Sequence, residues 1–146
     1  MKNKVEVFSL GVGGPKLEKR IKFIANKVLL FLKKDRHSLE VYLIDRRRMR
    51  LINNRFRGEN VSTNVLSFEA VSSKVFFEVK RAKQAGIKEL GEVYLCPSCI
   101  SRRGEELEKL LIHGILHLFH YQHDEKNDTI KMERLEVKIY VELGID

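Results

Sequence analysis

The chain has 146 residues, which suits a single domain over residues 1–146 that can bury a hydrophobic core. Hydrophobic residues make up 43% and charged residues 33% of the sequence, a balance that argues against intrinsic disorder. No apolar run approaches the roughly 20 residues that span a bilayer, and the first residues show no secretory signal, so we expect a cytoplasmic protein with no membrane partner. The 28 Lys and Arg residues outnumber the 20 Asp and Glu residues, and the resulting net charge of +8 favours a polyanionic partner.

The first predicted elements alternate between strand and helix. Residues 4–10 show the alternation of a strand, and the apolar positions of residues 16–34 recur at the spacing of an amphipathic helix. Residues 38–45 predict a second strand. Residues 46–57 then predict a short helix that ends at Gly58.

Strands dominate the middle of the chain. Residues 61–68 predict a strand, and residues 71–86 fit either a strand or a helix. Residues 90–96 predict a further strand, which ends at Pro97 because proline cannot donate to a ladder.

Two helices complete the chain. Residues 103–120 predict one helix, and Asp128 is expected to cap a last helix that runs to Leu143. Because strands and helices are mixed and some neighbouring strands have no helix between them, the sequence predicts an α+β fold: a small mixed β-sheet packed with several helices.

A cluster of arginines stands out in the predicted helix over residues 46–57. The planar guanidinium binds phosphate in a bidentate manner, so such a cluster fits a nucleic-acid backbone, while a solvated helix face explains a run of charge equally well. The cluster members are Arg46, Arg47, Arg48, Arg50, Arg55 and Arg57.

Four of the five histidines lie within eleven residues at the end of the helix predicted over residues 103–120. His113 and His117 are one helical turn apart and can reach one ion, and zinc favours neutral imidazole with one open position in catalytic sites. His123 follows after six residues, which allows the chain to turn back as a third ligand. His120 shares the face of His113 and His117, but positions seven apart on one helix lie about 10 Å apart along its axis, which strains a tetrahedral site. We therefore predict zinc on His113, His117 and His123, with His120 as the alternative third ligand.

The spacing H-x3-H-x5-H equals that of the metzincin peptidases, H-E-x-x-H-x-x-G-x-x-H. The glutamate that acts as general base in those enzymes is Gly114 in this chain. Cleavage of peptides is therefore not expected from this zinc site.

Three other roles come into question for the pair Cys96 and Cys99. With His113 and His117 they nearly match the spacing of a C2H2 zinc finger, but the aromatic residue expected after the second cysteine is Arg103. A redox motif would need a helix to start at the pair, and none is predicted there. A packing role, or a dithiol without a catalytic role, is the reading we favour.

Three blocks of sequence resemble the YbeY family of bacterial endoribonucleases and rRNA maturation factors. The hallmark H-G-x-L-H-L-x-G-Y-D-H is similar to the segment from His113 to His123, with seven of nine specified positions matched. A second block, ending in the family as T-[DN]-V-L-S-F, resembles the segment that ends with Thr63-Asn64-Val65-Leu66-Ser67-Phe68. The third block, L-G-D-I, resembles Leu90-Gly91-Glu92-Val93.

The resemblance implies an α+β fold, zinc on the three motif histidines and cleavage of single-stranded RNA. It further implies 16S rRNA 3′-end maturation, ribosome quality control and association with the small ribosomal subunit, with Arg57 at the position of the family's functional arginine. Two positions depart from the family: His120 replaces a glycine and Gln122 an aspartate. His120 adds a fourth imidazole and is expected to be a bystander, while Gln122 removes a negative charge near the metal.

These expectations combine into a mechanism. Zinc would lower the pKa of a coordinated water towards about 7, and Arg57 would stabilise negative charge on the phosphate. The cluster over Arg46, Arg47, Arg48 and Arg50 would hold the RNA backbone. Arg57 could instead be a surface ion pair. Two other functions remain open: a non-catalytic, zinc-stabilised RNA-binding or ribosome-binding assembly factor, and a metal-dependent hydrolase of a substrate other than RNA.

Overall fold

A computed structural model describes residues 3–70, 86–119 and 126–145. Its described elements, in chain order, are β1 (Lys4–Leu10), α1 (Pro15–Phe31), β2 (His37–Ile44), α2 (Arg46–Arg57), β3 (Val65–Glu69), β4 (Lys88–Leu95), α3 (Pro97–Arg102), α4 (Leu107–Leu118) and α5 (Lys126–Leu143). The four strands form one sheet in the order β1-β2-β4-β3. β1, β2 and β4 are parallel, and β3 is antiparallel to β4 at the edge, which confirms the predicted α+β fold with a mixed sheet.

Helices cover both faces of the sheet. On one face α1, α4 and α5 pack over a core that includes Ile24, Leu43, Val93, Ile115 and Ile139. On the other face α2 packs over a second core, whose buried residues are Tyr42, Ile44, Met49, Ile52, Leu66, Tyr94, Cys96 and Cys99. Because successive side chains of a strand point to opposite faces, β3 and β4 each contribute to both cores.

α2 begins and ends where the sequence predicts. Asp45 is its N-cap, and its Oδ1 accepts a hydrogen bond from the backbone N–H of Arg48 at 2.8 Å. Gly58 ends the helix in the left-handed conformation with φ 72°, which glycine adopts without steric cost. Met49, Ile52 and Asn53 are buried, Arg48 and Phe56 are half-buried, and the other residues of the helix are exposed.

Several predicted bounds are wrong. β3 begins at Val65 rather than at residue 61, because the carbonyl oxygen of Val61 accepts a hydrogen bond from Asn53 Nδ2 at 2.9 Å. The helix predicted from residue 103 begins at Leu107, after the separate helix α3. The last helix begins at Lys126, so Asp128 lies inside α5 and is not its N-cap. The ambiguous segment 71–86 falls outside the described residues except for residue 86.

Two tyrosine–glutamate pairs lie on the α2 side of the sheet. Tyr42 donates to Glu40 at 2.5 Å, and Tyr94 donates to the buried Glu92 in the same way on the neighbouring strand. Burial raises the pKa of Glu40, and the charges of Glu92 and Glu89 raise it further, while the hydrogen bond from Tyr42 and the charge of Lys4 act in the opposite direction. The pKa values of both tyrosines are raised, first by burial and then by the glutamates they contact.

Among the described residues, no helix combines the length and apolar composition that crossing a bilayer would require.

Candidate metal centre and nucleic-acid interface

α4 presents His113 and His117 on one face. The helix buries Leu111, Ile112 and Ile115 against the sheet, and the two histidines, one turn apart, are half-buried beside this apolar face. The Nε2 atoms of His113 and His117 are 2.9 Å apart, and their rings meet edge to face with centroids 4.4 Å apart. The structure therefore brings together two of the three predicted ligands.

The spacing of these two nitrogens suits a shared metal ion. Two imidazole nitrogens at the usual Zn–N bond length of about 2.0–2.1 Å, in tetrahedral geometry, are about 3.3 Å apart. A small outward rotation of either ring from the observed 2.9 Å reaches that distance. The pair can thus supply two neutral nitrogen donors to one ion.

The remaining predicted members of the metal site lie outside the described residues. This applies to His123, to the alternative ligand His120 and to Gln122. Within the described ranges no three His, Cys, Asp or Glu side chains converge closely enough to hold a metal. The third ligand therefore stays a prediction.

A carboxylate from α5 reaches the first histidine. Glu136 Oε2 lies 3.1 Å from His113 Nδ1, the ring nitrogen that points away from His117. Tyr140, one turn later, donates to the same Oε2 at 3.3 Å. Glu136 is absent from the sequence-predicted site, although a signal exists: it shares a helical face with Met132 and Ile139, both buried, so it is a charged residue in an apolar stripe.

β3 contacts the histidine helix directly. Ser67 Oγ donates to the carbonyl oxygen of Gly114 at 2.9 Å. A Cβ at Gly114 would lie 3.0 Å from Ser67 Oγ, 3.0 Å from Val93 Cγ1 and 3.2 Å from Val65 Cγ2. The position that carries the general base in metzincins therefore faces the sheet here, and a side chain there would have to displace its neighbours.

Gly91, from the third sequence block, allows the two strands behind this helix to approach each other. Its φ of 147° is unfavourable for residues with a Cβ, and a Cβ there would clash with the carbonyl oxygen of Phe68. β4 also has a register shift opposite Ser38 and Leu39 at this point. The glycine thus permits the antiparallel pairing that places β3 beside α4.

Arg57 is exposed in the last turn of α2. The preceding residue, Phe56, packs on Phe68 of β3 with ring centroids 5.2 Å apart. Phe68 follows Ser67, which bonds to α4 from the opposite face of the strand. The end of α2 and the histidine helix are therefore fixed to adjacent residues of the same strand.

The arginines of α2 differ in their surroundings. Arg46, Arg47 and Arg50 are exposed, whereas Arg48 is half-buried and forms an ion pair with Asp45, Nη1 to Oδ2 at 2.5 Å. Residues 46, 50 and 57 fall within a narrow angular sector of a helix with 3.6 residues per turn. They form a stripe about 16 Å long, which we call the arginine stripe: Arg46, Arg50 and Arg57.

Cys96 and Cys99 form a disulfide in the structure. They belong to the core beneath α2, whereas α4 packs on the opposite face of the sheet, so the zinc-finger grouping with His113 and His117 is wrong. The expectation that no helix starts at the pair is also wrong, because α3 begins at Pro97 with Cys96 as its N-cap. A six-residue helix is too short to show a helical repeat in the sequence.

Comparison with known proteins gives a consistent result. The family model described as Endoribonuclease YbeY matches residues 8–144. A relative named Endoribonuclease YbeY from Sinorhizobium medicae is 35% identical over 88% of this chain and 77% of its own length. One of the same name from Buchnera aphidicola is 32% identical over 82% of this chain and 75% of its own length. A solution structure of a protein from Thermotoga maritima shares the fold, with a TM-score of 0.55 and 24% identity over 96% of this chain and 91% of that one.

Proposed function

This chain belongs to the YbeY family of endoribonucleases, and on that premise we propose that it hydrolyses phosphodiester bonds in single-stranded RNA with one zinc ion held by His113, His117 and His123. The proposed natural substrate is 16S rRNA, matured at its 3′ end on the small ribosomal subunit in the cytoplasm, with a part in ribosome quality control. The observation that carries the proposal is the convergence of His113 Nε2 and His117 Nε2 to 2.9 Å on a helix of a basic, YbeY-type chain.

The donor set supports zinc. Neutral imidazole is a preferred zinc ligand, and three protein ligands would leave a fourth position open to the reaction. Zinc bound there would supply Lewis acidity and a nucleophile at neutral pH. His123 would complete the set because the sequence allows the chain to turn back after α4, and His120 remains the alternative third ligand.

Negative charge that develops on the phosphate needs a stabilising cation. Arg57 is exposed, and its neighbour Phe56 is anchored to β3, the strand that also bonds to α4. A guanidinium held in this way could donate two hydrogen bonds to nonbridging phosphate oxygens. We propose this role for Arg57.

The first turn of α2 supports a role in binding RNA. It contains Arg46, Arg47 and Arg48 and no acidic residue. Cations near a helix N-terminus oppose the helix dipole and cost about 0.3–1 kcal/mol each, so local stability does not explain them. Phosphate contacts by the exposed Arg46, Arg47 and Arg50 would explain these arginines. We propose that Arg48 also contacts the RNA backbone, although its guanidinium pairs with the N-cap Asp45.

The packing at Gly114 argues against peptide hydrolysis. Metzincins carry their general-base glutamate at this position, and a glutamate here would have to displace Ser67 and Val93. A nucleic-acid substrate agrees better with the net charge of +8.

The test combines metal analysis with cleavage of single-stranded RNA. Wild type should contain one zinc per chain and cut RNA, His117→Ala should lose both zinc and cleavage, and Arg57→Ala should keep zinc but lose most of the rate. Matched controls are His37→Ala, which removes the histidine outside the motif, and Arg55→Ala, which removes an arginine from the other side of α2. Cleavage retained by His117→Ala would defeat the proposal.

The same test separates the two other functions. Zinc bound without cleavage of any RNA would favour the assembly factor. Zinc-dependent hydrolysis of an ester or amide, with RNA left intact, would favour a hydrolase of another substrate.

A further inference from the structure

The last helix contributes a buried carboxylate to the face of the histidine helix. Glu136 lies 23 positions beyond His113 in sequence, yet its Oε2 is 3.1 Å from His113 Nδ1. Glu136 is only 9% exposed, and a carboxylate in such surroundings is costly unless it is hydrogen-bonded. Hydrophobic packing alone therefore does not explain why a glutamate lies at this buried position beside His113.

The position of Glu136 is set by α5 itself. Met132 and Ile139, which lie on the same side of α5, are fully buried in the core that α4 also lines. The carboxylate is thus carried on a helix whose neighbouring turns are anchored. Its distance to His113 follows from packing rather than from a flexible loop.

Tyr140 contacts the same oxygen of the carboxylate as His113 does. Its hydroxyl donates to Glu136 Oε2 at 3.3 Å. Burial raises the pKa of Tyr140, and the charge of Glu136 and the hydrogen bond between them raise it further, so the hydroxyl remains a donor. Lys109 Nζ, near the start of α4, lies 5.3 Å from the centre of the Tyr140 ring. This cation–π contact also links the tyrosine to α4.

The contact with Glu136 favours one of the two neutral tautomers of His113. An ionised carboxylate only accepts hydrogen bonds, so a neutral histidine that contacts one through Nδ1 donates from Nδ1 and carries its lone pair on Nε2. That Nε2 is the atom that points at His117 Nε2. The orientation is the one in which His113 can bind a metal through Nε2.

We propose that Glu136, supported by Tyr140, is a positioning residue that fixes the ring orientation and tautomer of His113 for metal binding. This inference rests on the proposed function, because it concerns the same zinc site. Residues that orient metal ligands in this way typically contribute about 10-fold to 100-fold to metal affinity.

The first measurement is zinc affinity, obtained by competition with a chromophoric chelator. We expect Glu136→Gln, which keeps an oxygen acceptor but no charge, to bind zinc about 10-fold more weakly, and Glu136→Leu up to about 100-fold more weakly. Tyr140→Phe should have a smaller effect in the same direction. The matched control is Glu133→Gln, which removes an exposed carboxylate from the same helix and should leave the zinc affinity unchanged.

The second measurement separates positioning from general stability. Long-range ¹H–¹⁵N NMR spectra of the zinc-free protein should show His113 as the Nδ1–H tautomer in wild type and in Glu133→Gln. In Glu136→Leu the Nε2–H tautomer should become populated, and Glu136→Asp should restore part of the Nδ1–H signal. Circular dichroism identifies any variant that has not folded. If Glu136→Leu does not fold, the isosteric Glu136→Gln variant is used to test the role of Glu136.

The outcomes distinguish the two proposals. If wild type binds no zinc, the metal centre fails, and the role of Glu136 fails with it. If wild type binds zinc and cuts RNA while Glu136→Gln and Glu136→Leu keep wild-type zinc affinity and the Nδ1–H tautomer, the role of Glu136 alone is overturned.

Discussion

Ser67 on the edge strand β3 donates a hydrogen bond to the carbonyl oxygen of Gly114, the residue that follows the first motif histidine on α4. The bond is possible because residue 114 has no side chain, so α4 can lie directly on the strand. The contact positions His113 relative to the sheet. The close packing also requires a glycine at this position of the motif, and the effect of replacing it on stability can be measured.

Gly114→Ala should lower the free energy of unfolding. Alanine gains about 1 kcal/mol over glycine in helix propensity, but its Cβ would lie 3.0 Å from both Ser67 Oγ and Val93 Cγ1, and overpacking typically costs about 1–3 kcal/mol. We expect a net loss of up to about 2 kcal/mol in urea unfolding. Stabilisation by alanine would show that α4 does not pack this closely.

The arginine stripe should control the salt dependence of RNA binding. Arg46 and Arg50 are both exposed, so replacing both by alanine should leave up to two phosphates of the bound RNA without a protein cation. For single-stranded nucleic acid, the slope of log affinity against log salt should then become shallower by about 0.7 for each phosphate that is no longer neutralised. Binding titrations at several KCl concentrations measure this slope.

The control for the stripe is Arg134→Ala, an exposed arginine on α5. It removes one positive charge, as each stripe substitution does, without touching α2. A change of slope per substitution equal to that of the stripe would mean that overall charge, and not the stripe, binds the RNA.

Glu40→Gln should stabilise the protein at neutral pH. The pKa of Glu40 is raised above its usual 4.5, mainly by burial, so folding favours the protonated carboxyl. Stability from this group is fully present below pH 4.5 and is lost as the pH rises through the folded-state pKa. Glutamine removes the charge but keeps an oxygen that can accept from Tyr42.

Urea unfolding at about pH 4 and about pH 7 tests this expectation. The difference between Glu40→Gln and wild type should be larger at neutral pH and shrink in acid. Glu133→Gln, on the exposed side of α5, is the control. A difference that is the same under both conditions would contradict the assignment.

The disulfide between Cys96 and Cys99 should make a small contribution to stability. The two cysteines are only 3 positions apart, and for so short a loop chain entropy accounts for about 2 kcal/mol. A reductant should therefore lower the unfolding free energy of wild type by no more than this, and should not affect a Cys96→Ala, Cys99→Ala double variant. Zinc content should be equal in all of these samples, and a gain of zinc on reduction of wild type that the double variant does not show would implicate the cysteine thiolates as ligands.

Local patterns in the sequence are sufficient for most elements. The alternation in β1, the helical repeat of α1 and the glycine that ends α2 act over a few residues, so they can be seen without the fold. The pairing of His113 with His117 is of the same kind, because a helix fixes the geometry of residues four apart.

Contacts between distant segments cannot be predicted in this way. Glu136 contacts His113 only because α5 packs against α4. The sequence alone shows only that a charged residue lies among the apolar positions of this helix. The start of β3 differs from the prediction for a similar reason. Asn53, from the preceding helix, binds the carbonyl oxygen of Val61, which a longer strand would have used in a ladder.

The two faces of β3 also have a consequence for how a substrate would be cut. Ser67 is bonded to α4 and Phe68 is packed on Phe56 of α2, so the helices that carry the histidine pair and the arginine stripe contact consecutive residues of one strand. Neither helix can shift along the strand without breaking its own contact. If the arginine stripe binds the RNA and cleavage takes place beside the histidines, the number of nucleotides between the bound phosphates and the cleaved bond should be constant. The products would then end at a fixed distance from the last bound phosphate.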